Sequence, residues 1–302
     1  MPTAPATDHV RDAARALARA VEPVVGQVFF SPECHARYAA LGFSPSPNAG
    51  SEGLALPDGP AYFTSRGSAM GQVPGEVVAA TFGVFNPAVV VPAVAHGWSL
   101  TDAPTIAGER LAGGVDQLRR IVGEQPDGVD RAVELLGRAV EPLEPWGRAL
   151  FAGTLSQTLP GEPLGDMFRQ ADRLREFRGD SHVAAWVAAG FDAVEIGLLT
   201  ELYWGVPPRT YIRTRAWSAA DLDAAEERLR SAGLLDDDGL TASGRVRREE
   251  VELATDAQVA PAVEALGDDL DELLEVLTPM NTAIMAAQGY PPSPLAIAPN
   301  PR

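Results

Sequence analysis

Gly233-Leu-Leu-Asp-Asp-Asp-Gly-Leu-Thr-Ala-Ser-Gly244 is the stretch on which the fold turns. It runs apolar, then acidic with a glycine, then apolar again, and closes on a helix-cap sequence. An Asp/Gly turn suits a tight hairpin because these residues tolerate positive φ. Just upstream, Ser218-Ala-Ala-Asp221 has the spacing of a capping box. The helix it opens carries Leu222, Ala225, Leu229 and Ala232 along one face and stops at Gly233. The order predicted is a recognition-like helix, a short β-wing and a closing helix. The competing reading is a helix-loop-helix with a surface turn.

Working outward, the remaining sequence also reads as helices. Thr7-Asp8 can cap a first helix through Val10, Ala14, Leu17 and Val21. A short second helix carries Cys34, His35 and Tyr38 and ends at Gly42, and Ser44 to Pro60 reads as a Pro/Gly loop. Pro74 and Asn86-Pro87 mark two further starts, and Ser99-Leu-Thr-Asp102 precedes a long amphipathic helix. Pro160 to Pro163 is a break. After it, Met167 to Phe177 and Val183 to Ala189 read as two helices joined at Arg178-Gly-Asp-Ser-His182. Asp192 to Trp204 is another helix, and Val206 to Arg215 an irregular link.

Two stretches repeat in order. Val78-Ala-Ala80, Phe85-Asn86, Trp98-Ser-Leu-Thr-Asp102 and Glu109-Arg-Leu111 match Val183-Ala-Ala185, Phe191-Asp192, Trp217-Ser-Ala-Ala-Asp221 and Glu227-Arg-Leu229. The offset grows from 105 to 119 residues, as one insertion would produce. Chance in an alanine-rich helical chain is the alternative. The duplication predicts a mainly α fold of tandem winged-helix-like units with short β-wings, packed as an internal pseudo-dimer. Residues 1–160 form its first half and residues 161–302 its second, with closing helices.

The chain has 24 basic residues, all arginine, against 41 acidic ones, for a formal net charge of −17. The bias toward Ala, Gly, Arg, Pro and Asp is that of a GC-rich coding sequence. Such acidity repels nucleic acid and anionic lipid at long range. The single Cys34 makes no internal disulfide, and four histidines without a CxxC pair argue against a metal site. No secretion signal or spanning run is visible, so the cytoplasm is the expected compartment.

The segments YFTSRGSAMGQVPGEVVAATFGVFNPAVV (from Tyr62), LREFRGDSHVAAWVAAGFDAVE (from Leu174) and GLTASGRVRREEVELATD (from Gly239) resemble an actinobacterial group of SalK-like proteins. That group is described as a helix-turn-helix family, and some members lie near natural-product clusters. The resemblance implies a MarR-like winged-helix relationship and no settled activity. This chain departs from the group's pattern at Gly83-Val84, where a bulkier Tyr-Asn pair is expected, and at Phe177, where a polar residue or His is expected.

No phosphate loop, HExxH or nucleophile elbow occurs. The 178–182 joint carries the candidate chemistry. Asp180 is expected to cap a helix starting at Ser181. His182, in that helix's first turn and four residues before Trp186, is expected to stay neutral. Arg66 can reach an anion bidentately or pair structurally, with Glu76 as the candidate partner. Phe82, Phe85 and Trp98 read as core. The expected ligand-binding set is Tyr62, Arg66, Arg178, His182 and Trp186, between the halves, for a small aromatic or polyketide-like molecule. A natural-product tailoring enzyme would use His182 as general base. No cofactor is indicated, and oligomeric state is not legible. The alternative is a MarR-like DNA-binding regulator reading through Arg228, Arg230, Arg245, Arg247 and Arg248. Against it, Thr210 to Gly267 holds seven arginines and twelve acids, and the wing is Asp236-Asp-Asp238.

Overall fold

The computed structural model describes residues 8–46 and 54–293. The proposed Thr7 cap and part of the Pro/Gly loop lie outside them. The first half opens with α1 (Asp8–Gly26) and α2 (Pro32–Ala40), followed by α3 (Gly59–Gly67), α4 (Gly75–Phe82) and α5 (Pro87–Leu100). Then come α6 (Ala103–Val122), α7 (Val129–Val140) and α8 (Ala149–Ser156). The second half contains α9 (Pro163–Ala188), α10 (Ala193–Tyr203) and α11 (Ala219–Ser231). A hairpin of β1 (Leu235–Asp236) and β2 (Gly239–Leu240) leads to α12 (Ala242–Leu266) and α13 (Asp269–Ala286). The mainly α expectation holds. No single helix among the described residues is long and apolar enough to cross a membrane.

The opening stretch folds in the order its residues dictate. Ser218 and Asp221 form a reciprocal capping box at the start of α11. Leu235 pairs with Leu240 and Asp236 with Gly239, whose φ is 109°. Thr241 then caps α12, accepting the Gly244 N–H at 2.9 Å and donating to the Gly233 carbonyl at 2.8 Å. Leu222, Ala225 and Leu229 of α11 meet Leu234 and Leu235 of the hairpin, and Leu198 and Leu199 of α10, in one small core.

The largest core draws on both sides of residue 160, with apolar residues from α1, α2, α6, α7, α9, α12 and α13. A second core joins α3, α4 and α5. Gly97 makes this packing possible: a Cβ there would sit 1.9 Å from Thr64 Oγ1.

One expectation fails here, and another is matched only in part. Arg178 to His182 is not a joint, because α9 runs through it unbroken for 26 residues. Gly179 costs a helix interior only about 1 kcal/mol. Tertiary bonds from its neighbours offset that: Arg178 pairs with Glu252 and Asp256, and Asp180 accepts the Phe151 N–H at 3.0 Å. Asp180 therefore caps the first turn of α8, not its own helix. The repeat is the one matched in part. Asn86 and Asp192 do cap α5 and α10 in matching places. The later match loses register, since α6 is capped by Asp102 and α11 by Ser218, three positions earlier in the shared motif. Among the described residues the one sheet is β1–β2, so the described part of the first half forms no second wing.

Candidate functional site

The interior of α9 is charged. Asp172, Glu176 and Asp180 follow each other at a spacing of four and share one buried face. Each is answered from another helix. Arg110 of α6 grips Asp172 with two bonds of 2.8 and 2.9 Å. Arg66 of α3 grips Glu176 with bonds of 3.0 and 2.7 Å, and Arg175 adds a third at 3.0 Å. Burial alone would raise the Glu176 carboxyl, but the two guanidinium groups outweigh it and hold it at about 2. Asp180 has no such partner. Burial pushes it up to about 6, against the lowering effect of the Phe151 N–H.

From this network the chain of contacts runs outward to a cavity. Arg175 also binds Glu22 of α1, and Glu22 accepts the Tyr290 hydroxyl at 3.1 Å. Glu22, Arg175 and Tyr290 line a space of about 620 Å³. Its apolar wall comes from Phe29, Phe30, Tyr62, Phe63 and Phe85. The link between α10 and α11 also lines it, contributing Tyr211, Thr214 and Arg215, with Trp204 at the end of α10. The pocket thus sits at a seam between the α3–α5 layer and the segment that feeds α11.

The link is irregular but not loose. Glu201 of α10, fully buried, accepts the N–H groups of Tyr211 and Ile212 at 3.0 Å each, and also that of Arg209. Farther on, the Arg215 carbonyl accepts the Asn86 N–H at 2.9 Å, and the Ala216 carbonyl accepts Asn86 Nδ2 at 3.0 Å. Trp217 Nε1 donates to the Val84 carbonyl at 2.9 Å. Ala216 takes a φ of 62° to make this turn. The α4–α5 corner and the start of α11 are therefore stitched together beside the cavity.

The five residues expected to bind ligand do not converge. Tyr62 lines the cavity. Arg66 is held by Glu176, not Glu76, with its guanidinium 4.4 Å from the Phe82 ring. Together with Arg178 it borders a smaller space of about 160 Å³. His182 and Trp186 line neither space. His182 Nδ1 lies 3.1 Å from Thr255 Oγ1. That hydroxyl donates to the Val251 carbonyl, so the imidazole donates from Nδ1. Burial pushes His182 down to about 4, with Glu252 pulling the other way and Arg248 and Arg178 adding to the depression. The expected neutrality holds, but its cause is burial in mid-helix rather than a helix N-terminus. A general base needs an open site beside it, and His182 has none in either space.

Trp186 packs with Ala185, Ile196 and Val251. It also bears on Gly83, where the resemblance leads one to expect a bulkier residue. Gly83 has a φ of 65°, and a Cβ there would lie 2.9 Å from Trp186 Cζ2, so a bulkier residue would collide with the indole. Phe177 is buried too, edge-on to Phe151 at 5.0 Å with the Arg148 guanidinium 4.3 Å from its ring. As expected, Phe82 and Phe85 are core. Sequence reasoning missed Arg175, Tyr211, Arg215 and Tyr290. The signal available was the aromatic and basic density of Thr210-Tyr-Ile-Arg-Thr-Arg-Ala-Trp217 in a stretch without helical period.

The arginines assigned to DNA reading are mostly engaged. Arg228 pairs with Asp192 and Glu195, Arg230 with Glu226, and Arg247 with Glu250. Arg248 is buried on Thr200 and Glu252. Arg245 has no ion pair among the described residues. A family profile described as a helix-turn-helix family matches residues 14–291, and the chain belongs to that family. No curated protein and no solved structure matches it significantly.

Proposed function

We propose that this helix-turn-helix family member binds a small aromatic molecule in the cavity of about 620 Å³. The carrying observation is that cavity: its volume lies in the range of ordinary ligand sites, and its walls are aromatic with few polar groups. Tyr62 keeps its expected role there, and Arg175, Arg215 and Tyr211 join it. In this reading α10, α11, the β1–β2 hairpin and α12 are a winged-helix unit. The α4–α5–α6 run is a wingless counterpart, a pairing that the matched Asn86 and Asp192 caps support. The SalK-like and MarR-like relationships belong to the same proposal and rest on the quoted segments. A polyketide-like aromatic is the ligand class those segments suggest.

The test is native mass spectrometry of protein purified from its own host, with Val89→Trp as control. Val89 lines the cavity yet is 42% exposed, so a larger side chain there fills the space without repacking the core. A co-purifying mass on the natural chain that is lost in the variant is the expected result. A natural chain that carries nothing, and whose melting 2-naphthol leaves unmoved, would overturn the reading.

A second reading is a DNA-binding regulator, favoured by the family and by the helix-hairpin-helix order. The acidic hairpin and the internal ion pairs of Arg228, Arg230 and Arg247 weigh against it, because phosphate contacts need cations that are free to make them. Absence of any gel shift at low salt would end this reading.

A further inference from the structure

Three charged side chains line the cavity: Glu22, Arg175 and Arg215. Two of them are spoken for. Arg175 lies between Glu22 and Glu176, and Glu176 is shared with Arg66. That group holds two guanidinium ions and two carboxylates and is balanced. Tyr290 donates to Glu22, and Thr214 donates to the Tyr211 carbonyl at 2.8 Å. Arg215 differs. No carboxylate pairs with it among the described residues, and its one side-chain bond is to the Tyr211 hydroxyl. Arg215 is thus the charged side chain of the lining that has no opposite charge paired with it among the described residues.

Its geometry is set before any ligand arrives. The guanidinium carbon lies 4.5 Å from the centre of the Phe85 ring and 4.4 Å from that of Tyr211. Contacts of this kind use the face of the guanidinium and leave its in-plane N–H groups for hydrogen bonds. The backbone on either side is fixed by Asn86, through the Arg215 and Ala216 carbonyls. A planar, half-buried cation with a fixed main chain and spare donors matches a carboxylate edge.

We infer that the cavity selects a planar aromatic anion, with the Arg215 guanidinium as counter-charge and the aromatic wall holding the ring system. The inference rests on the cavity being a ligand site, and it adds the charge of the ligand and the residue that reads it. An anion here also touches the link that leads into α11, so its binding would be felt at the helix-hairpin-helix unit.

The test compares two probes of one shape, 2-naphthoate and neutral 2-naphthol, by isothermal titration. The natural chain is expected to bind the naphthoate about ten-fold or more tightly than the naphthol, as a charge-assisted hydrogen bond in a partly buried site provides. Arg215→Met should erase that preference while keeping naphthol affinity, and Arg215→Lys should retain part of it. Retained naphthol binding also reports an intact fold. Equal affinity of the natural chain for both probes, or an unchanged preference in Arg215→Met, overturns the inference and leaves the cavity reading standing. Binding of neither probe defeats the cavity reading itself, and this inference with it.

Discussion

Replacing Glu176 with Gln should cost this protein a large part of its stability at neutral pH. Glu176 is 1% exposed and serves two arginines from the centre of the longest helix. Its carboxyl is held at about 2 rather than its ordinary 4.5. At about 1.4 kcal/mol per pH unit, that difference corresponds to roughly 3 kcal/mol favouring the folded state. A second route gives a similar figure, since removing one partner of a buried pair typically costs about 3–5 kcal/mol. Domains are stable by only about 5–15 kcal/mol, so the effect is readily measured. The folded-state value is depressed, so the stabilisation is full above about pH 4.5 and disappears as pH falls toward 2. Equilibrium urea unfolding of the natural chain and Glu176→Gln at pH 7 and pH 3.5 provides the assay. The gap should be about 3 kcal/mol at the higher pH and clearly smaller at the lower. Arg66→Met combined with Glu176→Met should recover about half of the loss, because both charges of that pair are gone and Arg175 keeps Glu22 as its partner. A gap below about 1 kcal/mol at pH 7, or one that does not narrow in acid, would refute this account of α9.

Asp180 should behave in the opposite sense. Its folded-state value is raised to about 6, so the stability it favours is present below about pH 4 and lost as pH rises through 6. Asp180→Asn can still accept the Phe151 N–H, and differential scanning calorimetry should show a Tm a few degrees above the natural chain at pH 7.5 and equal to it at pH 4. Gly97→Ala should destabilise by about 1–3 kcal/mol, because its methyl would overlap Thr64. Adding Thr64→Ala should restore only part of that loss in the same urea assay, because the residue 64 Cβ stays 2.8 Å from the new methyl.

How much of this was legible depends on how far each signal reaches along the chain. The Ser218 box, the Asp/Gly turn and the Thr241 cap are local, and each satisfies backbone groups within a few residues. They folded as read. Gly179-Asp180-Ser181 also looks local, as a stop and a cap. Its decisive bond is to Phe151, 29 positions away, and nothing nearby in sequence announces that. The same holds for Arg66, whose partner Glu176 is 110 positions distant. The cavity is the extreme case. Its lining runs from Glu22 to Ser293, so no window of sequence contains it. Tyr62, singled out in the segment that carries Arg66, does line it. Arg215 was passed over because the link carries no apolar period, although the 3-10 turn over Ile212–Arg215 sets Tyr211 and Arg215 four residues apart on one wall.

The internal commitment of the arginines also decides what the helix-hairpin-helix unit can touch. A duplex contact releases counterions only if a cation is free to replace them, and binding then weakens with salt by a slope of about −0.9 per phosphate neutralised. On this unit Arg228 is spent on Asp192 and Glu195, and the hairpin carries Asp236, Asp237 and Asp238. Neutralising these five acids to Asn or Gln frees Arg228, and Arg245 already has no ion pair among the described residues. The variant should acquire weak, sequence-independent duplex binding with a log–log salt slope of about −2, where the natural chain shows none. Loss of the Asp192 cap costs little, since Asn caps a helix about as well. A natural chain that already binds duplex DNA with that slope or a steeper one would show that these ion pairs open on contact. The acidic side chains would then be a latch on the DNA-binding face rather than the reason it is closed.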